Sequence, residues 1–140
     1  MSDLHVVKQR LVEAGLEIYR TKPAEIEIAE RVRLHIMDSG VRVREDMTVT
    51  FTVRSQRSDF GAGISCDELF EKVREAVGSD AAARGYVEEA ANTVTVRDPM
   101  DEAKVLDTWH EVIYSKSAGT VEAIIDEVRW ALEIEKYVAP

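Results

Sequence analysis

From Ile26 to Val53 the chain alternates apolar and polar residues with a period of two, and this run constrains the fold more than any other feature. Ile26, Ile28, Val32, Leu34 and Ile36 occupy even positions, with Glu25, Glu27, Arg31, Arg33 and His35 between them. Past Asp38, Ser39 and Gly40 the parity reverses. Val41, Val43, Met47, Val49, Phe51 and Val53 now share one face, and Arg42, Arg44, Thr48, Thr50, Thr52 and Arg54 share the other. Successive strand side chains point to opposite sides, so both runs read as half-buried strands. The turn-forming cluster between them predicts a long antiparallel hairpin of residues 25–36 and 41–54, turning at Asp38 to Gly40. A helix over 24–38 closed by Gly40 is the competing reading, but its apolar positions spread too widely round a helical wheel.

Upstream of Pro23 the period is that of a helix. Leu4, Val7, Leu11, Ala14 and Ile18 recur on one face, with Ser2 or Asp3 as cap, so residues 3–20 are predicted helical. Downstream, Ser65 followed three residues later by Glu68 forms a capping box. It opens a helix faced by Leu69, Phe70, Val73, Ala76 and Val77, with Gly78 as its stop. Residues 79–91 read as one short helix with Gly85 near its middle, and Thr93 to Arg97 alternates as a third strand. Residues 98–114 fit two forms. Asp98 and Pro99 can open an amphipathic helix, or Asp98 to Asp101 can turn the chain into a returning strand through Thr108 to Tyr114; the strand is favoured. Thr120 caps a closing helix with core face Val121, Ile124, Ile125, Val128, Ala131 and Leu132.

These elements predict one α+β domain over residues 1–140: two layers, an antiparallel sheet built on the long hairpin, and N-terminal, central and C-terminal helices. A chain of 140 residues, 45% hydrophobic and 32% charged, has the balance of a folded globular protein. No apolar run reaches membrane-spanning length and the first ten residues lack a signal-peptide core, so a cytoplasmic location is expected. Cys66 is the only cysteine, which rules out an internal disulfide or a multi-cysteine zinc site. The net charge of −9 is uneven. Residues 1–57 hold ten basic and nine acidic side chains, a balance of +1, against eight and eighteen in 58–140, a balance of −10. Such a field disfavours nucleic acid and anionic membrane as partners.

Several constellations bear on function. The predicted register makes Glu30 and Glu45 diagonal neighbours, an arrangement that drives two carboxyl pKa values apart; a local bulge turning both to solvent is the simpler reading. Arg31, Arg33, His35, Arg42 and Arg44 gather on the polar hairpin face, with Arg33 directly opposite Arg44. Such a patch fits a small anionic ligand or an acidic partner, and otherwise is a solvated face that blunts edge pairing. Arg54, Arg57, Gly61, Gly63 and Ser65 form a strand, loop and helix start able to hold a phosphate, though their spacing matches no nucleotide motif. Cys66 falls in the first turn of a helix, where a thiol ionises more readily, yet no histidine is tied to it in sequence. His5, His35 and His110 show no metal-ligand spacing, so no metal, cofactor or catalytic residue is indicated.

Trp130, Ile134 and Tyr137 form a second apolar row on the closing helix, as an interface between two copies requires. Residues 92–132, a Thr/Val/Arg strand followed by a helix opened by Asp98 and Pro99, a Ser115 to Ser117 turn and a last helix, resemble a ribbon-helix-helix module in outline. That resemblance implies DNA binding, against which stand five basic and ten acidic residues in 91–140. The overall order and size are similar to those of small acidic secretion chaperones. The leading expectation is therefore a non-enzymatic homodimeric interaction module, adaptor or chaperone-like. The alternative is a small enzyme or anion-binding domain using the basic hairpin face.

Overall fold

The computed structural model describes residues 4–61, 63 and 65–138. Among them are three helices and seven strands, in the order α1 (Leu4–Glu13), β1 (Ile18–Thr21), β2 (Glu25–Val32), β3 (His35–Arg44), β4 (Thr48–Gln56), α2 (Cys66–Arg84), β5 (Val87–Asp98), β6 (Asp101–Ser117), α3 (Val121–Glu133) and β7 (Tyr137–Val138). The expected α+β class, with N-terminal, central and C-terminal helices and an antiparallel sheet, is what the structure shows, with β7 running parallel to β4. The chain divides into two compact units, Met1–Phe51 with Ser115–Ile134, and Thr52–Tyr114 with Glu135–Pro140.

In the first unit β1, β2, β3 and β4 follow one another as an antiparallel meander. The single long hairpin predicted from the alternation is thus corrected to two hairpins. The first turns at Arg33 and Leu34, with Val32 paired to His35 and Arg33 in the left-handed region at φ 59°. The second turns at Glu45 to Met47, where the Asp46 carboxylate accepts from the Thr48 N–H. Asp38, Ser39 and Gly40 do not turn the chain. They lie inside β3, opposite a register shift between Glu27 and Ala29. There the Asp38 carboxylate accepts from the Gly40 N–H (2.9 Å), while the Ser39 hydroxyl donates to the Ile28 carbonyl (2.6 Å) and accepts from the Val41 N–H (3.1 Å). Between the pairs Glu27 with Arg42 and Ala29 with Asp38, β3 carries two residues more than β2, so residues that favour a turn have made an irregularity of bulge type. The helix over 24–38 is absent.

The predicted first helix, 3–20, is also shortened. Gly15 takes φ 87° and the Leu16 N–H reaches back to the Leu11 carbonyl, a helix-ending motif open to glycine. Ile18, freed from the helix, pairs with Ile28 in β1. Thr120 caps α3 as expected, its hydroxyl accepting from the Ala123 N–H at 3.1 Å. Val7 and Leu11 of α1 and Ile124, Val128 and Ala131 of α3 are buried with Ile26, Ile28, Val41, Val43, Val49 and Phe51 from the strands.

In the second unit β6 pairs with both β4 and β5, and β7 adds to β4 through Arg54 with Tyr137 and Ser55 with Val138. The capping box forms as predicted, the Ser65 hydroxyl accepting from the Glu68 N–H. Gly78 does not stop the helix. α2 runs 19 residues to Arg84 and ends on Gly85 at φ 100°. A Cβ on Gly78 would lie 3.1 Å from the Tyr114 hydroxyl, so this glycine marks a close approach of strand to helix. Residues 98–114 are strand, the favoured reading, with Pro99 and Met100 turning β5 into the 17-residue β6. That strand removes the helix on which the ribbon-helix-helix outline depended.

Candidate functional site

The basic patch expected on the hairpin is dispersed by the observed register. Arg44 pairs with Glu25 and Arg33 sits in the turn, so the two arginines are not opposed. Arg42 is held by the chain's own carboxylates: its guanidinium makes a two-point contact with Asp38 (3.0 and 2.8 Å) and lies 3.4 Å from Glu27. Arg31 bonds to Glu17. Partial burial raises the Asp38 carboxyl, but the bonds from Arg42 and the Gly40 N–H outweigh it and hold the group below the usual carboxylate range. Glu27, 1% exposed, is the centre of this network, with Arg20 at 2.7 Å and Lys22 at 3.5 Å as further cations. Internal anions occupy the role foreseen for an external one. Glu30 faces Met37 across the strands and Glu45 lies in the next turn, so the proposed carboxylate pair does not form.

The apolar row on the closing helix is broken as well. α3 ends at Glu133, Ile134 is extended, and Tyr137 belongs to β7. Trp130 packs edge-on against Phe51 with ring centroids 5.8 Å apart, inside its own unit. The exposed apolar surface is elsewhere. At the tip of the first hairpin Leu34 is 93% exposed, beside exposed Val32, Ile36 and Met37. Along the β5–β6 ribbon Val94, Val105, Leu106 and Trp109 are exposed, and Met100 at its turn is 93% exposed.

The other concentration of chemistry lies in the second unit, at the start of α2. Cys66, Asp67 and His110 bring a sulfur, a carboxylate oxygen and a ring nitrogen within 4.8 Å of one another, and among the described residues this is the one such group of three. His110 comes from β6. Its Nε2 lies 2.6 Å from an Asp67 oxygen and its Nδ1 3.2 Å from the Thr93 hydroxyl, while its ring stacks on Phe70 at 5.4 Å. Cys66, a buried free thiol, contacts the Ser55 hydroxyl at 3.3 Å. Cys66 and Asp67 border an open depression of about 360 Å³ shared with Arg57, Phe60, Gly61, Gly63 and Ser65. The loop foreseen as a phosphate site therefore forms the mouth of this cluster, apart from Arg54, which is exposed on β4.

Asp107 fastens the mouth. Its carboxylate accepts from the Gln56 amide (2.6 Å), the Ser58 hydroxyl (2.8 Å) and the Ser58 N–H (3.0 Å), which ties the short helical turn Arg57–Asp59 to β6. The bond from Gln56, with those from Ser58 and the Thr108 N–H, holds this carboxyl far below its ordinary range. Cys66 and the loop before it were legible as candidates, but their joining to His110 was not, because His110 lies 43 residues from Asp67 and only the fold joins them. None of the helices among the described residues is long and apolar enough to cross a membrane. No family model matches the chain, and neither a curated protein nor a solved structure matches it.

Proposed function

We propose that the chain is a homo-oligomeric protein-interaction module whose contact surface is the β5–β6 ribbon, working in the reducing cytoplasm that a lone thiol suits. The observation that supports it is exposed apolar surface on a long two-stranded arm: Val94, Met100, Val105, Leu106 and Trp109 all lie at the surface. A two-stranded ribbon is marginal in water unless something covers it. β5 ends the strand order on this side, and its Thr93–Val96 stretch is a ready template for an added strand. A second copy presenting the same edge makes a self-complementary two-fold contact. The interface first expected at Trp130, Ile134 and Tyr137 thereby moves to the ribbon.

The test is the mass in solution. Wild type at high micromolar concentration should sediment at twice 15.7 kDa. Leu106→Glu and Val94→Lys, at exposed positions, should return it to monomer with an unchanged circular dichroism spectrum. A monomeric wild type, or a dimer indifferent to both changes, removes this reading.

A further inference from the structure

We propose that Cys66, Asp67 and His110 form a binding site for a zinc-class divalent metal ion with one open coordination position. Three ligand atoms of different kinds, from α2 and β6, already lie within 4.8 Å of one another. In a tetrahedral zinc site, with metal–ligand distances of about 2.0–2.3 Å, neighbouring ligand atoms stand roughly 3.3–3.8 Å apart. The cluster closes onto an ion by small side-chain rotations. One thiolate, one imidazole and one carboxylate suit zinc or its close transition-metal neighbours, whereas magnesium and calcium take oxygen ligands alone.

The surroundings match those of a metal ligand set. His110 Nδ1 lies 3.2 Å from the Thr93 hydroxyl, which can accept its proton when Nε2 binds an ion on the side where Asp67 stands. Phe70 stacks on the imidazole and fixes its plane. The Ser55 hydroxyl lies 3.3 Å from the Cys66 sulfur, and Cys66 is the first residue of the 19-residue α2, which fixes its backbone. The competing use, a cysteine nucleophile with a histidine base, fits less well. Both ring nitrogens of His110 are committed to Asp67 and Thr93, and neither is bonded to the thiol. Arg57, 4.0 Å from Asp67, is more than half exposed and opposes the ion weakly. Three protein ligands leave a fourth position for water or an anion at the mouth of the depression, the arrangement of open zinc sites.

Cobalt(II) is the probe, added to the full chain under reducing conditions and then displaced with zinc. Wild type should take up one equivalent and develop a thiolate-to-cobalt charge-transfer band together with the visible bands of a tetrahedral ion, all lost when zinc is added. Cys66→Ser should abolish the charge-transfer band. His110→Gln and Asp67→Asn, at half-buried and exposed positions, should weaken uptake while the fold persists by circular dichroism. Thr93→Val, which removes the hydroxyl beside the imidazole, should weaken it about 10–100-fold. No charge-transfer band in wild type at saturating cobalt overturns the proposal. So does a band of undiminished affinity in both His110→Gln and Asp67→Asn, which would mean that the thiol binds cobalt without its neighbours.

Discussion

Glu27 and Asp38 show how much of the first unit rests on charges placed inside it. Glu27 is almost wholly buried, and its acceptors are satisfied by Arg20, Lys22 and Arg42. Its truncation leaves three cations without their common anion, so Glu27→Ala should cost about 1–3 kcal/mol in urea unfolding. Arg20→Ala, at a side chain 58% exposed, should cost under about 1 kcal/mol. Equal losses for the two would mean that the network is not centred on Glu27. Asp38 carries a pH dependence of definite sign. Its carboxyl lies below the ordinary value in the folded chain, so it binds a proton less readily there than when unfolded. The stability it contributes is complete above the unfolded pKa of about 3.9 and is lost as pH falls through the lower folded value. Wild type should therefore exceed Asp38→Asn in stability at pH 7, and the gap should close as pH drops below about 4. A gap that widens in acid contradicts the assignment. Residue-level signals of local chemistry were legible: the Ser65 and Thr120 caps could be read from spacing alone. Partners distant in sequence, such as His110 for Asp67 or Arg42 for Glu27, have no local pattern to betray them.

Among the elements, the sequence announced the N-terminal, central and C-terminal helices and the strand character of the middle of the chain, but missed β1 and β7, split α2 at Gly78 and misplaced several ends. A cluster of Asp, Ser and Gly fits a hairpin turn and a bulge-type irregularity equally well, and the true turn at Arg33 and Leu34 carries no turn residue by type. Ile18 kept helical spacing with Leu11 and Ala14, yet Gly15 two residues after the last helical residue decided the matter. Gly78 misled for a different reason, since its glycine serves packing. Alanine in place of an interior helical glycine normally stabilises by about 1 kcal/mol. Here the new methyl would meet the Tyr114 hydroxyl at 3.1 Å, on a buried side chain whose hydroxyl donates to the Arg74 carbonyl. Gly78→Ala alone should gain well under that amount or lose stability, whereas Gly78→Ala measured in a Tyr114→Phe background should recover about 1 kcal/mol. Additive effects of the two substitutions would show that the close approach does not govern this position.

At the scale of the whole molecule, the order of elements read from hydrophobic periodicity foretold the α+β class, while the proposed contact surface escaped notice because the ribbon that carries it fitted two readings. The net charge carries a prediction. The chain carries −9 overall, and residues 87–111, which form the ribbon, hold seven acidic and two basic side chains. Two copies meeting along this arm bring like charges together, and the apolar residues Val94, Val105, Leu106 and Trp109 must supply the attraction against that repulsion. Screening acts on the two terms oppositely to what a salt-bridged interface would show. The Debye length falls from roughly 30 Å at 0.01 M salt to about 10 Å at 0.1 M and about 3 Å at 1 M, so added salt removes the repulsion and leaves the apolar contact in place. Dimerisation measured by sedimentation equilibrium should therefore strengthen steadily from low to high sodium chloride. The largest change should come below about 0.1 M, where screening begins to act between neighbouring side chains. Lys104→Glu, adding to the like charge of the ribbon, should steepen that dependence, and Glu102→Lys should flatten it. A dimer that weakens with salt would instead be held by ion pairs, and the apolar ribbon would not be its contact surface.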